Sequence, residues 1–268
     1  MTRTETIGDA TLVLGDCLET LADISGVDAF LLDPPYSSGG AFRGDRTAKP
    51  STKYVHTTSD FTCRTEFAGD NRDQRSFLAW SSLCFGYMLR ASNPGATLCA
   101  FTDWRQLPTM TDAVQAGGWV WRNIVTWHKP GIRMQRGRFS GSAEYVVYAS
   151  NGVPIEGERS PQNVLAYAPV GGEDKEHIAE KPIALLVDLL GITLPGATVC
   201  DPFMGGGTAG VACAMTGRRF IGCEIDPFHF DTACRRIEAA YRQRDLFVAP
   251  PAPARPEPMR TLFDAVTP

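Results

Sequence analysis

The stretch "VCDPFMGGGTAG", Val199–Gly210, decides the fold, because it has the pattern of a β-strand, a glycine turn and the start of a helix. The strand runs to Asp201, three glycines follow from Gly205 to Gly207, and small residues suited to a helix come next. Consecutive glycines let the backbone approach a bound molecule closely, and they present N–H groups at a helix N-terminus. The stretch therefore predicts a ligand loop at the carboxyl end of a parallel strand.

A second acidic residue supports a nucleoside ligand at this loop. Glu224 ends the next strand pattern, "RRFIGCEID", about twenty residues further on, where a carboxylate can accept the hydroxyls of a ribose. The glycines match neither of the two common phosphate-binding patterns, and no lysine follows them. We therefore expect a nucleoside that carries an amino acid, such as S-adenosylmethionine, in preference to a pyrophosphate.

Another strand end, in "AFLLDPPYSSGG" (Ala29–Gly40), predicts a pocket for a planar amine. Three apolar residues lead to Asp33, which is typical of a buried parallel strand that ends at a ligand edge. The prolines Pro34 and Pro35 fix their own φ angles and stiffen the loop. Tyr36 adds a flat ring beside the carboxylate, so the loop could hold a planar molecule with N–H groups.

Strand and helix patterns alternate along the chain, which predicts an α/β fold with a mostly parallel sheet and helices on both faces. The carboxyl ends of parallel strands meet at one edge of the sheet, so four acidic residues should face the same side of the molecule. These residues are Asp16, Asp33, Asp201 and Glu224.

The chain is expected to hold one domain in residues 1–248, two inserted loops in residues 37–75 and 128–143, and a flexible Pro-rich tail in residues 249–268. The second loop has four basic residues and no acidic one, which favours contact with DNA phosphates over a merely solvated basic loop. Its basic residues are Lys129, Arg133, Arg136 and Arg138.

Composition indicates an ordinary globular protein. The 268 residues carry a net charge of −4 and are 43% hydrophobic. No apolar run approaches the roughly 20 residues of a membrane span, and the N-terminus lacks a secretory signal. Eight cysteines without a C-x-x-C pair, and only four histidines, favour reduced thiols and argue against a metal centre.

Two motifs together resemble the amino-methyltransferases of DNA. They are DPPY at Asp33–Tyr36 and DPFMGGGT at Asp201–Thr208, and their order resembles the β class of that family. "HIAEKP", His177–Pro182, resembles the H-P-x-Q-K-P element that precedes the cofactor strand in the class. The resemblance covers about Thr11 to Arg244, nearly the whole folded part.

This resemblance implies a Rossmann-like methyltransferase fold that is circularly permuted, with the strand Thr11–Leu14 beside the strand that ends at Glu224. It implies S-adenosyl-L-methionine as the cofactor and double-stranded DNA as the partner. The catalytic residues would be Asp33, Pro34, Pro35 and Tyr36. The cofactor-binding residues would be Asp16, Lys181, Asp201, Phe203, Gly205, Gly207, Thr208 and Glu224.

Two departures from the family pattern affect which residue roles of the family can be assigned to this chain. Ile178 stands where proline is usual, and Glu180 stands where glutamine is usual, which leaves open how that element meets the methionine end of the cofactor. The segment before His177 is also short, so reading of the DNA sequence would fall to the loops at residues 37–75 and 128–143.

The function expected from the sequence is methylation of the N6 amine of a flipped-out adenine, in a restriction-modification setting. Cytosine-N4 methylation is the nearest alternative, since relatives with that activity more often carry serine in place of Asp33. A protein amide methyltransferase, for which N-P-P-Y is usual, and a DNA-binding protein without catalysis are further alternatives.

The sequence also gives expectations for other partners and for the location. A homodimer stays open, and "MRTLFD", Met259–Asp264, resembles the Q-x-x-[LM]-F peptides that bind sliding clamps, although it lacks the glutamine. The expected location is cytoplasmic and nucleoid-associated, for a protein encoded by a bacterium or a phage.

Overall fold

A computed structural model of the chain describes residues 3–36, 72–132, 136–137, 139–170 and 180–245. Within these ranges nine strands form one mixed sheet. In chain order they are β1 (Arg3–Ile7), β2 (Ala10–Leu14), β3 (Val27–Leu32), β4 (Ser92–Thr102), β5 (Val120–His128), β6 (Ala143–Ser150), β7 (Val164–Ala166), β8 (Thr198–Asp201) and β9 (Arg219–Glu224). The helices are α1 (Cys17–Asp23), α2 (Gln74–Ala91), α3 (Leu107–Ala116), α4 (Ile183–Leu190), α5 (Thr208–Thr216) and α6 (Pro227–Asp245).

The strand order in the sheet is β1-β2-β9-β8-β3-β4-β6-β5-β7. The five adjacent strands β2, β9, β8, β3 and β4 are parallel to one another, so their carboxyl ends meet at one edge. Strand β6 runs antiparallel to β4 and β5, and β1 runs antiparallel to β2. The mostly parallel sheet expected from the sequence is confirmed.

The N-terminal strand occupies the position that the permuted order requires. Strand β2 pairs in parallel with β9, with Ala10 opposite Phe220 and Leu14 opposite Glu224. Leu12, in the middle of β2, is completely buried. The Gly15 N–H continues the pairing by donating to the carbonyl of Glu224 at 2.9 Å. Strand β2, near the start of the chain, is thus part of the core, next to the last strand.

Helices cover both faces of the sheet, which explains why β3 is apolar from Ala29 to Leu32. Phe30 and Leu32 pack into the cluster formed with α1, α2 and α3. Ala29 and Leu31 pack into the opposite cluster, formed with α4, α5 and α6. Successive side chains of a strand point to opposite faces, so a stretch with both faces covered is apolar. The next polar residue after this stretch is Asp33, just past the end of the strand.

Some element bounds differ from those expected. Helix α2 begins at Gln74, within the predicted loop 37–75, because the Asp73 carboxylate accepts the Arg75 and Ser76 N–H groups and caps the helix. Strands β1 and β7 were not predicted, since both are short and largely exposed. The remainder of loop 37–75, the element at His177–Ala179 and the tail 249–268 with its clamp-like segment 259–264 lie outside the described residues.

The described ranges have three further properties, which concern membrane helices, metal ligands and cysteines. Among those residues no helix combines the length and apolarity needed to cross a membrane. The same residues contain no group of three metal-ligating side chains arranged to hold an ion. The seven cysteines within them are free thiols, and six of these are buried.

We predict that Leu12→Ala destabilises the protein by about 2–5 kcal/mol, because it leaves a cavity between β9 and the covering helices. Urea denaturation followed by circular dichroism measures the change. Thr4→Ala on the exposed strand β1 is the matched control, with an expected change within about 0.5 kcal/mol. Equal effects of the two substitutions would show that the N-terminal strands do not belong to the cooperative core.

Candidate active site

A cavity of about 820 Å³ opens at the carboxyl edge of the parallel strands. It is lined by the four carboxylates that the sequence predicted there, and each follows or ends a strand of the parallel set. They are Asp16 after β2, Asp33 after β3, Asp201 at the end of β8 and Glu224 at the end of β9. The cavity volume is typical of sites for small organic ligands.

The glycine turn between β8 and α5 forms one wall of this cavity. Gly205 and Gly207 have positive φ angles of 50° and 79°, which L-residues with side chains rarely adopt. A Cβ atom on Gly207 would also lie 2.8 Å from the Cβ of Ala233 on α6. Glycine is therefore required here both by the backbone and by the close packing of α6.

Glu224 holds this turn in place. Its Oε2 accepts the Gly205 N–H at 2.9 Å, and its Oε1 accepts the Asp226 N–H at 2.8 Å. Burial raises the pKa of the Glu224 carboxyl, although both N–H groups oppose the rise. Each carboxylate oxygen has a second lone pair, so the side chain keeps acceptor capacity for the ribose hydroxyls predicted to bind it.

Arg236 on α6 was not among the predicted site residues, yet it ties three segments together. Its guanidinium donates to the carbonyl of Gly206 at 2.7 Å and to Thr208 Oγ1 at 3.2 Å. It also forms an ion pair with Glu180, whose side chain is only 7% exposed. The carboxylate at position 180, which departs from the family pattern, is thus the partner of a buried arginine. No local sequence signal marks Arg236, because its partners are distant in the chain.

Three further predicted cofactor residues surround the same space. Asp201 is buried, accepts the Phe203 N–H at 2.9 Å, and has a pKa raised well above its usual value by burial. The Phe203 ring lies 5.5 Å from the ring of Trp80. Asp16 caps α1 by accepting the Leu18 N–H at 2.8 Å, which leaves its second oxygen for a ligand.

Asp33 lies in the half of the cavity away from the glycine turn. Its Oδ2 accepts a hydrogen bond from the Lys181 ammonium at 2.6 Å. Its Oδ1 is shielded from solvent and has no hydrogen-bond partner among the described residues. Burial raises the pKa of the Asp33 carboxyl, and the nearby ammonium limits that rise. Pro34 is buried and Tyr36 is half-buried against the cluster under α2, so the loop is held rigidly.

Lys181 was expected on the cofactor side, but its ammonium lies with Asp33 and is 3.6 Å from Glu144 Oε2. Its pKa is raised, since the two carboxylates outweigh the effect of burial. Its Nζ also lies 5.2 Å from the centre of the Phe101 ring. Glu144 and Phe101 are further site residues that sequence reasoning missed.

The predicted DNA contacts divide into three cases. Lys129 forms an ion pair with Glu144 and lies 4.7 Å over the ring of Trp127, so its charge is directed into the site. Arg136 is exposed. Arg133 and Arg138 lie outside the described residues. Contact of this loop with DNA stays a prediction.

The residues present fit a nucleoside cofactor and a planar amine in one cavity. The glycine turn, Asp201 and Glu224 offer close backbone approach and acceptors, and Asp33 with Tyr36 offers an unsatisfied acceptor beside a flat ring. This sheet, with that cavity at its carboxyl edge, defines the class of nucleoside-cofactor methyltransferases. The chain belongs to the DNA methylase family of N6/N4 type, whose model matches residues 27–235.

Comparison with individual relatives agrees with this family assignment. The YubD protein of Escherichia coli (strain K12), which is named as a methylase, is 27% identical over 240 residues, covering 86% of this chain and 91% of that protein. The type II methyltransferase M.Cfr9I of Citrobacter freundii is 31% identical over 144 residues, covering 47% of each chain.

Solved structures share the fold. A complex of M1.HpyAVI with SAM matches with a TM-score of 0.62 and 24% identity, over 85% of this chain and 98% of that one. The PvuII DNA methyltransferase, which is cytosine-N4-specific, matches with a TM-score of 0.65 and 15% identity, over 89% of this chain and 93% of that one.

We predict that Gly207→Ala lowers both stability and the affinity for S-adenosylmethionine, because the new methyl group would push the turn away from α6. Gly217→Ala, at the other end of α5, is the matched control: its φ is 69°, but its Cβ would meet open space. The control should lose only about 1–2 kcal/mol of stability from backbone strain. In Gly207→Ala, overpacking should lower the free energy of unfolding by about a further 1–3 kcal/mol. Urea denaturation and calorimetric titration measure the two effects, and equal cofactor affinity in both variants would contradict the assignment of the turn.

Proposed function

We propose that the protein is a site-specific DNA methyltransferase that modifies the exocyclic N6 amine of an adenine rotated out of the double helix. The observation that carries the proposal is the Asp33 carboxylate, which has one oxygen bound to Lys181 and one oxygen without a partner among the described residues. A buried acceptor without a donor is costly, and an amino group entering the cavity would supply the missing N–H.

The methyl donor is S-adenosyl-L-methionine. When bound, it supplies a methyl group attached to a sulfonium, which leaves as a neutral thioether. Asp201, the glycine turn and Glu224 would hold its nucleoside and amino-acid parts, and Asp16 with Phe203 would surround the adenine. The turn lies at the N-terminus of α5, a position that favours acceptor groups of a ligand.

Asp33 and Pro34 would act on the acceptor amine by orientation. The Asp33 carboxylate and the Pro34 carbonyl would each accept one N–H, so that the nitrogen lone pair faces the methyl group. As the new N–C bond forms, the nitrogen becomes cationic, and the ionised carboxylate stabilises that charge. The methylated nitrogen then releases a proton, so no strong base is required before attack.

Tyr36 would hold the base that carries the amine. Rotation of a base out of the duplex costs a few kcal/mol. Stacking on an aromatic ring typically returns about 1–3 kcal/mol per base. Tyr36 follows Asp33 on a stiff two-proline loop and is packed against the core, so its ring keeps a fixed relation to the carboxylate.

Adenine is favoured over cytosine because relatives that methylate cytosine N4 more often have serine at the position of Asp33. The fold likeness to the cytosine-N4-specific PvuII enzyme keeps cytosine as the second candidate. Sequence reading would fall to loops 37–75 and 128–143, in which the exposed Arg136 could contact a phosphate.

We predict that DNA from a host expressing the protein contains N6-methyladenine at one short sequence, whereas DNA from a host expressing Asp33→Ala does not. Mass spectrometry of the nucleosides identifies the modified base, and long-read modification sequencing identifies the site. N4-methylcytosine in place of N6-methyladenine would establish the second candidate. Unmodified DNA in both hosts would contradict the proposed activity.

We also predict that the two halves of the cavity fail differently. Asp33→Asn keeps the shape but loses the charge, so single-turnover methyl transfer should fall by about 10²-fold or more while cofactor affinity stays within a few-fold. Glu224→Gln should weaken cofactor binding by roughly tenfold, since it loses charge-assisted hydrogen bonds at the turn.

Calorimetry and a methyl-transfer assay at saturating cofactor separate the two effects. Turnover of Glu224→Gln should recover substantially at saturation, because its acceptor half is intact. A loss of cofactor binding in Asp33→Asn as severe as that in Glu224→Gln would contradict this division.

A further inference from the structure

The cavity contains a cluster of charged side chains that the proposed chemistry does not yet use. Lys181 has a side chain only 8% exposed and donates to Asp33 Oδ2 at 2.6 Å. Its Nζ is 3.6 Å from Glu144 Oε2, and Glu144 is also paired with Lys129. A lysine this deeply buried is uncommon unless its charge is paired, and here it lies between two carboxylates.

The position of Lys181 is restricted by the residue that follows it. Pro182 is the N-cap of α4, and its carbonyl accepts the N–H groups of Leu185 and Leu186 in the first turns of that helix. The ammonium also lies against the face of the Phe101 ring at 5.2 Å from its centre. The lysine therefore has little freedom to swing toward another part of the cavity.

We propose that Lys181 is a positioning residue for the acceptor amine: its ammonium holds the Asp33 carboxylate ionised and in one orientation. The inference rests on the proposed amine methylation at Asp33. It differs from the role implied by the family motif, which places this lysine on the cofactor side.

The physical need for such a residue follows from the burial of Asp33. An ionised carboxylate accepts the amine N–H in a charge-assisted hydrogen bond; once protonated, one of its oxygens becomes a donor and the group no longer stabilises the cationic nitrogen. Burial favours the protonated form, and an adjacent fixed cation favours the ionised form. A lysine that uses one oxygen of Asp33 also leaves the other oxygen for the amine.

Four further charged groups, each from a different segment, line the cavity around the Asp33–Lys181 pair. Asp33 is favoured in its ionised form by Lys181 and Lys129 and disfavoured by Glu144. The pKa of Glu144 is lowered, since the two lysines outweigh its burial. Two further carboxylates nearby have raised pKa values because they are buried: Asp103 after β4 and Asp201 at the end of β8.

These charges predict opposite changes in the pH profile for two substitutions. Methyl transfer requires ionised Asp33, so its rate should fall on the acid side of the profile. K181M removes the cation that favours ionisation, and the acid limb should move to higher pH by about 1–3 units. E144Q removes a neighbouring negative charge and should move the limb slightly to lower pH.

The experiment measures the rate of single-turnover methyl transfer as a function of pH, from about pH 5 to about pH 9. The substrates are unmethylated DNA made by amplification and saturating S-adenosylmethionine, and cofactor affinity is measured by calorimetry. K181M should lose at least about tenfold in rate at pH 7 and retain cofactor affinity within about threefold. K181R, which keeps the charge, should keep the acid limb near its original position.

The matched control is R218M. Arg218 is a buried cation paired with Glu158 outside the cavity, so R218M should lower the unfolding temperature without moving the acid limb. If K181M does not fold, K181R and E144Q still carry the test. The proposal is overturned if K181M weakens cofactor binding tenfold with an unmoved limb, or if E144Q moves the limb upward. Failure of the proposed function is distinct, since it would appear in the modified base made by the unaltered protein.

Discussion

The structure depends on how four carboxylates at one edge of the sheet, of which Asp201 is buried and the other three are partly buried, are each given a partner. Parallel strands bring their carboxyl ends together, and burial disfavours the negative charges that collect there. Backbone N–H groups serve Asp16, Asp201 and Glu224, whereas Asp33 is served by the ammonium of Lys181. The choice of partner divides the cavity into two halves: the proposed cofactor half, where carboxylates accept backbone N–H groups, and the proposed acceptor half, where Asp33 accepts from an ammonium.

The cofactor half is stabilised by contacts between segments far apart in the chain. Glu224 ties the glycine turn to the end of β9, and Arg236 ties the same turn to α6 and to Glu180. A change in any of these residues would move the turn, and with it the backbone that approaches the cofactor. The unusual glutamate at position 180 therefore has a structural partner, and Arg236→Ala would leave it as an uncompensated buried charge.

The acceptor half is rigid for a different reason. Two prolines, a half-buried tyrosine and the buried lysine restrict the Asp33 loop, so little reorganisation is needed when a base enters. Preorganisation of this kind is the usual source of electrostatic stabilisation in enzymes. The DNA methylase family membership and the unsatisfied oxygen of Asp33 therefore support the same reaction.

The sequence by itself determined the alternation of strands and helices, the glycine turn, the four acidic strand ends and the place of β2 beside β9. The first three features are local patterns, or they follow from the rule that parallel strands share an edge, whereas the place of β2 followed from the resemblance to a circularly permuted family. Only the tertiary structure decided that Lys181 serves Asp33, that Lys129 pairs with Glu144, and that Arg236 joins the turn to Glu180. Such pairs join residues that are 15 to 148 positions apart. Long flexible side chains can reach several acceptors, so the folded packing alone selects the partner, and no pattern along the chain records it.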